Sequence, residues 1–349
     1  MQKKRITVNL VSESDFTIQG HGVHTAYLEM RHMLESQPSI DLLVNSQPLA
    51  ETDITHIHTF GSFAFRRLIS RKGGKKVVSA HVVPDSLVGS IAGATWWVHI
   101  FKYYLKFFYN LADTIIAVSP ATKESLIKLG VKRPIVVISN TIDTAKYKIA
   151  ADKKAEIRQS LDLPLDKFIV VGNGQIQPRK RFDTFLKMAK KLPNTQFIWV
   201  GGIPFKLAGS DYVSLSRQIK KAPKNLLVSG VVSLSKARLF MQASDLMFMP
   251  SMQETFGLAI IEGAASGLPV LVRNIHDYDA TFSDYVAKGE EDNFKELIEK
   301  FQKDTAFYKE YQTKAKALAK RYDVSQSVKA LMDLYDRLLE IAPKQPKDR

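Results

Sequence analysis

The chain contains no cysteine. A disulfide framework and a thiolate metal site are both excluded, and a reducing cytoplasm is the compartment this fits. Nor is there a run of about 18 apolar residues, the length that reads as a membrane-spanning helix. The opening residues, MQKKRITVNLVSES, join positive charge to only a short apolar run. That run is too brief for the hydrophobic region of a secretory leader, so it reads as a first strand. No repeat of solenoid period is present. The glycines ahead of the first helix, Gly20 and Gly22, are followed by Thr25, so the G-x-G-x-x-G dinucleotide fingerprint is missing. Acidic residues are outnumbered, 35 Asp and Glu against 50 Lys and Arg, for a net charge of +15. Residues 1–150 hold 18 of the basic and 11 of the acidic residues, so both halves are basic. That balance suits an anionic partner: nucleic acid, an anionic membrane surface or a nucleotide.

What the chain does have is alternation. Short apolar, β-branched runs occur at 5–11, 76–80, 114–118, 135–138, 168–171, 196–200, 226–228, 246–249 and 270–272, with helical segments between most of them. Near-continuous apolar strands alternating with helices build a parallel sheet covered on both faces. A length of 349 residues fits two such domains. The charged, strand-free stretch at 150–167 predicts the junction. The expected organisation is a first domain over 1–150, a second over 151–325, and a last helix and tail over 326–349 returning toward the first. The predicted fold class is α/β, two doubly wound domains facing across a cleft.

The most informative stretch is 245–269, DLMFMPSMQETFGLAIIEGAASGLP. It predicts a buried strand at 246–249, a loop at 253–257, and a helix at 258–265 stopped by Gly267 and Pro269. Glu254 lies in the loop, and Glu262 lies about two turns into the helix. A helix start preceded by glycine favours negative charge, so phosphate is the first ligand to consider. The two carboxylates are placed to touch two ends of one long molecule.

A related loop follows the strand at 168–171. GNGQIQPRKR sets Gly174 and three consecutive cations, Arg179, Lys180 and Arg181, ahead of a helix at 182–191. A diphosphate cradle and a bare basic loop both fit. His81 stands just past the C-terminal end of its strand, where ligands bind in open α/β sheets. A histidine there can donate to a sugar hydroxyl or polarise a leaving group. His56 and His58 share one face of a strand, yet no third ligand accompanies them, which favours a polar strand end over a metal site.

Two further stretches point to a surface. Between 66 and 76 lie Arg66, Arg67, Arg71, Lys72, Lys75 and Lys76, with no acid among them. Residues 95–113 read TWWVHIFKYYLKFFYNLAD. Their polar members, His99, Lys102, Lys106 and Asn110, recur at three and four and form one stripe. The remaining face is aromatic, with Trp96 and Trp97 at its start. Such a helix suits a membrane interface, its lysines snorkelling to the headgroups. Each cation of the basic cluster would contribute about 1 kcal/mol beside anionic lipid. A core helix and a solvated basic turn account for the same residues.

ETFGLAIIEGAASGLPV, with Glu254 and Glu262 spaced as Glu-x7-Glu, resembles the retaining glycosyltransferases of family four, and the resemblance covers nearly the whole chain. GNGQIQPRKRFDTFLKMA is similar to that family's Gly-Arg-x-x-x-x-Lys-Gly segment, with Lys180 on the phosphate-binding lysine. Gln175 stands in place of the family's arginine and Arg181 in place of its glycine, leaving Arg179 or Arg181 to supply the missing charge. The resemblance implies the GT-B fold of two Rossmann-like domains and transfer of a sugar from a nucleotide donor, with retention and without metal or other cofactor. It implies that Glu254 contacts sugar hydroxyls and that Glu262 accepts from the ribose. The backbone of Phe256, Gly257 and Leu258 would lie near sugar and phosphate, and Lys180 would neutralise the leaving diphosphate. His81, Gly20 and Gly22 would approach from the N-terminal domain.

Within the family, GHGVHTAYLEM, the aromatic-basic segment and the QPRK variant look most like bacterial enzymes acting on diacylglycerol glycolipids. The expected partners are then UDP-glucose or UDP-galactose, a diacylglycerol or monoglycosyl-diacylglycerol acceptor, and the inner face of the cell membrane, with no nucleic acid. Arg66, Arg67, Arg71, Lys72, Trp96, Trp97, Lys102 and Lys106 would face the lipid. One alternative is a transferase for a polysaccharide or polyprenyl-linked acceptor. Another is an anionic-surface or nucleic-acid binding protein on a degenerate scaffold, against which both glutamates and Lys180 argue.

Overall fold

The computed structural model describes residues 5–16, 22–47, 50–84, 94–150, 152–203 and 216–340, without the side chains of 94–99. Its first part runs β1 (Ile6–Val11), α1 (Gly22–Glu35), β2 (Ile40–Val44), β3 (Ile54–Ile57), α2 (Ser62–Leu68), β4 (Lys75–Ala80), α3 (Ala94–Asn110), β5 (Thr114–Ala117), α4 (Pro120–Leu129) and β6 (Ile135–Val137). The strands form one parallel sheet in the order β2-β1-β3-β4-β5-β6. Strands β3 and β5 are buried along their whole length, as a sheet covered on both faces requires. Helix α4 has a sequence-legible start: the Ser119 side chain accepts from the Thr122 N–H and Pro120 follows, while Gly130 closes it at φ 87°.

The second part contains α5 (Lys153–Ser160), β7 (Ile169–Asn173), α6 (Phe182–Lys191), β8 (Gln196–Val200), β9 (Leu226–Val228), α7 (Leu234–Ala243), β10 (Leu246–Met249), α8 (Leu258–Ala265), β11 (Val270–Arg273), β12 (Ala287–Gly289), α9 (Phe294–Lys303), α10 (Thr305–Arg321) and α11 (Val324–Glu340). Its sheet is also parallel, in the order β12-β11-β10-β7-β8-β9. An aromatic core fills one side: Phe185 lies 5.0 Å from Trp199 and 5.7 Å from Phe248, centroid to centroid. Each such ring, fully buried, contributes about 1.5–3 kcal/mol. Helix α5 occupies the charged stretch after the first domain. It is anchored by Arg158, whose guanidinium is buried and bonds the Asp245 carboxylate at 2.7 Å.

Strands β2 and β12 are the two that composition does not announce. Both are edge strands, and β12 is three residues long. Backbone pairing to β1 and β11 defines them, with little help from side-chain pattern.

The chain passes between the domains twice. At the crossing, Ile142 N–H donates to Tyr322 O at 3.1 Å and Val324 N–H donates to Ile142 O at 2.9 Å. Thr144 Oγ1 donates to Asp323 Oδ2 at 2.5 Å. Helix α11 then lies on the first domain, burying Leu331, Leu334 and Tyr335 among Val8, Leu10, Tyr27 and Met33. The last helix is thus part of the N-terminal core although it is the far end of the sequence.

Candidate active site

Each sheet has one point where the strand order reverses. In the first it lies between β1 and β3, in the second between β7 and β10. Loops leaving the carboxyl ends of such strands open a crevice that binds ligands. Here the two crevices face each other across a cavity of about 510 Å³. Its walls include Gly22, His58 and His81 from the first domain and Gly174, Arg179, Lys180, Glu254, Gly257 and Glu262 from the second. Two loops distant in sequence, after β7 and after β10, are neighbours because their strands pair.

The loop after β7 is shaped by glycine. Gly174 and Gly201 sit at φ 142° and 134°, and a Cβ on Gly201 would come 2.1 Å from the Gly174 carbonyl. Only glycine tolerates that approach. Trp199 Nε1 donates to the same carbonyl at 2.9 Å, fixing the turn against the end of β8.

Lys180 is buried, and its ammonium pairs with Glu254 Oε1. Arg179 Nη1 reaches Glu254 Oε2 at 3.3 Å and the Gln253 carbonyl at 3.1 Å. Burial pushes the Glu254 carboxyl up, but Lys180 and then Arg179 more than reverse this and hold it below its ordinary range. Arg181 behaves differently. It bonds Asp183 at 2.8 Å and Glu291 at 3.2 Å, away from the cavity wall. Of the two arginines that could offset Gln175, Arg179 is the one at the cavity. Behind Glu254, Asp277 Oδ2 accepts from the Glu254 backbone N–H at 2.8 Å. Gly257, at φ 91°, starts α8 without a side-chain cap. Phe256, Gly257, Leu258 and Ala259, at that helix start, line the cavity, and an uncapped helix start is a ready anion site.

Glu262 is also buried, but among the described residues no cation is bonded to it. Asn173 Nδ2 donates to its Oε2 at 2.8 Å and Tyr147 Oη to its Oε1 at 3.3 Å. Burial pushes its carboxyl up to about 7, against the two hydrogen bonds, with Glu29 adding to the rise. Arg238 lies over the Tyr147 ring at 5.6 Å and lines the cavity. Asn173, Tyr147, Arg238 and Asp277 were not singled out by the sequence. Asn173 alone had a usable signal, its position at a strand end just before Gly174.

In the opposite wall, His81 Nε2 and His58 Nδ1 are 3.0 Å apart. Gly22, the first residue of α1, lines the cavity, whereas Gly20 lies outside the described residues. The histidines stack on one another instead of converging. Among the described residues no group of three or more histidines or carboxylates is arranged to hold a metal.

The basic cluster at 66–76 does not form one surface. Arg66, Arg71 and Lys72 are exposed. Arg67 is instead buried, with its guanidinium 3.2 Å over the Phe63 ring and bonded to the Ser46 carbonyl at 2.8 Å. Lys76 is also buried, on β4, and burial pushes its ammonium down to about 8. The expectation that Arg67 meets lipid is therefore corrected: packing on Phe63 takes it inward. Helix α3 is divided. Leu105, Phe108 and Tyr109 are core, while Ile100, Tyr103 and Phe107 are 64%, 76% and 54% exposed. Lys106 is exposed beside them and Lys102 is half-buried. The side chains of Trp96 and Trp97 lie outside the described residues.

Residues 12–146 match glycosyltransferase family 4, and residues 153–321 match the glycosyl transferases group 1. The alpha-galactosylglucosyldiacylglycerol synthase of Streptococcus pneumoniae is 30% identical over 99% of this chain and 93% of its own length. The chain belongs to the family four glycosyltransferases. The processive diacylglycerol alpha-glucosyltransferase of Acholeplasma laidlawii is 29% identical to this transferase over 84% of the chain and 87% of its own length. Among solved structures, Anabaena HepE in complex with UDP-glucose superposes with a TM-score of 0.76 at 19% identity, covering 95% of this chain and all of that one. Sucrose-phosphate synthase from Thermosynechococcus elongatus superposes at 0.79 with 15% identity, covering 97% of this chain and all of the other. The fold of the transferase is GT-B, as expected, and the chain is an enzyme, a hexosyltransferase. A binding protein on a degenerate scaffold is not favoured.

Proposed function

We propose that this transferase moves a hexose from a UDP-sugar to a diacylglycerol-type glycolipid at an anionic membrane surface, with retention and without a metal. The observation that carries the reading is the placement of Lys180, Arg179, Glu254, Glu262 and an uncapped helix start on one interdomain cavity. When the bond between the sugar and the diphosphate breaks, negative charge grows on the departing oxygen. Fixed cations and backbone N–H groups stabilise that charge where water is excluded. Lys180 and Arg179 supply the neutralisation in place of a metal. Glu254 accepts from sugar hydroxyls and Glu262 from the ribose. The acceptor hydroxyl attacks on the face from which the diphosphate leaves, and its proton passes to the departing phosphate oxygen. No protein nucleophile takes part, so trapping a covalent glycosyl-enzyme would overturn this mechanism.

The two diacylglycerol transferases that align along most of the chain support a glycolipid acceptor. So does one surface of the first domain. Phe65 of α2 meets Phe107 of α3 at 6.2 Å, joining the exposed Ile69, Ile100, Tyr103 and Phe107 to the cations Arg66, Arg71, Lys72 and Lys106. An apolar face rimmed by cations fits anionic headgroups. Among the described residues no helix is long and apolar enough to cross a membrane. Attachment through this face would be peripheral, and the expected side is the inner face of the cell membrane.

Radiolabel from UDP-glucose and from UDP-galactose, offered with vesicles of diacylglycerol or monoglycosyl-diacylglycerol and anionic lipid, is expected to enter a lipid product at a rate indifferent to EDTA. Transfer only to a soluble or polyprenyl-linked acceptor would overturn the acceptor assignment.

A further inference from the structure

Among the described residues three Lys and Arg side chains line the cavity: Arg179, Lys180 and Arg238. The first two are paired with Glu254. Arg238 lies on α7, where Leu234, Ala237, Arg238 and Met241 all reach the cavity wall. Their spacing of three and four makes one stripe, so α7 turns a single, otherwise apolar face to the cavity. Arg238 forms no hydrogen bond and no ion pair among the described residues, and its Nε is buried without a partner. Its guanidinium lies over the Tyr147 ring at 5.6 Å, a contact that favours the charge but supplies no oxygen to the N–H groups. Arginine stays charged at any working pH and can only donate. Buried donors left unmet are costly and rare, so this one calls for an acceptor from a ligand.

Which acceptor follows from place. The second sheet runs β10-β7-β8-β9, and the wall takes Glu254 after β10, Lys180 after β7, Gly201 after β8 and Val231 after β9. Three strand spacings make this wall about 14 Å long, room for a nucleoside diphosphate laid lengthwise. The groups proposed for the diphosphate stand at the β10 and β7 end. The β9 end is lined by Val231, Val232, Leu234, Ala237 and Met241, which suit the face of a planar base and offer nothing to phosphate. Arg238 is the charged side chain in that stretch, and its charge reaches Glu262, proposed at the ribose. Uracil presents carbonyl oxygens and no amino group, whereas adenine presents an amino group and no carbonyl. A guanidinium meets the first and is opposed by the donors of the second. We infer that Arg238 is a specificity-determining residue: it donates to a carbonyl oxygen of the donor's uracil and disfavours adenine, while Lys180 and Arg179 hold the diphosphate. The inference rests on the proposed UDP-sugar donor.

Titration calorimetry on the full-length enzyme tests this, with UDP, ADP and inorganic pyrophosphate as the probes. The unsubstituted enzyme is expected to bind UDP at least about tenfold more tightly than ADP. Arg238→Met, at matching thermal unfolding, is expected to raise the Kd for UDP by about tenfold or more, and to leave those for ADP and pyrophosphate within about twofold. Pyrophosphate weakened as much as UDP would place Arg238 on a phosphate and overturn the inference. UDP and ADP weakened alike would place it on the ribose, and UDP unchanged would detach it from the nucleotide; either result also overturns it. Equal affinity of the unsubstituted enzyme for UDP and ADP overturns it without any variant. An unsubstituted enzyme that binds no UDP overturns the donor reading itself, an outcome distinct from all the others.

Discussion

Glu254 and Glu262 stand eight residues apart in one segment, line one cavity, and are buried to 7% and 5% exposure. Burial acts on both in the same direction, yet their carboxyls move oppositely. Glu254 is held low by two cations that come from the loop after β7. Among the described residues Glu262 is bonded by the neutral donors Tyr147 and Asn173, and it rises to about 7. The difference shows that depth does not fix the charge of a buried acid; the bonded partner does. A permanent anion suits a group that orients sugar hydroxyls beside a diphosphate. If Glu262 accepts from the ribose as proposed, its titration makes nucleotide binding sensitive to neutral pH.

The largest way to break the comparison is Glu254→Ala, which is expected to lower kcat by about 10²-fold or more, measured by label transfer to lipid. Retained activity would detach Glu254 from the chemistry. Next is Lys180→Met. It leaves Glu254 buried with Arg179 alone, and is expected to cost about 3 kcal/mol in urea unfolding, with partial recovery in the double variant that adds Glu254→Gln.

For Glu262 the sign follows from its raised value. The folded state keeps the proton between the unfolded value, 4.5, and about 7. Its contribution to stability is therefore complete below 4.5 and is lost as pH rises to about 7, an order-of-magnitude change of about 3 kcal/mol. Glu262→Gln is expected to remove that slope in denaturation measured across this window. In the enzyme, donor KM is expected to rise as pH falls below about 7, because the protonated acid loses acceptor capacity toward the ribose. A pH profile unchanged by the substitution would sink this.

The smallest test concerns the cations. Arg179→Ala is expected to reduce kcat/KM by about tenfold, and Arg181→Ala by less than about twofold, since Arg181 is spent on Asp183 and Glu291.

Much of the fold was legible. Apolar strands alternate with helices, and the helix at 258–265 begins after Gly257 and ends before Gly267 as its punctuation predicts. Glu254, Glu262 and Lys180 were legible as a set because their spacing matches a family motif. Arg67 and Arg66 were not separable, because adjacent helical positions differ only in what packs against them: Arg67 met the Phe63 ring and Arg66 met water. Tyr147 and Asp277 were silent for the same reason, since each acquires its role from a partner 23 or more residues away.

By itself the sequence determined the period of its strands and helices, the turns that glycine and proline impose, and the residue types available for phosphate and sugar. Those are local consequences of backbone geometry and side-chain chemistry. The tertiary structure decided which charges meet. Pairing of β7 with β10 brings Lys180 to Glu254, and the return of α11 brings Tyr335 to His56. Proton positions in the site depend on those encounters, because a buried group takes its charge from its neighbours, and its neighbours are set by strand order.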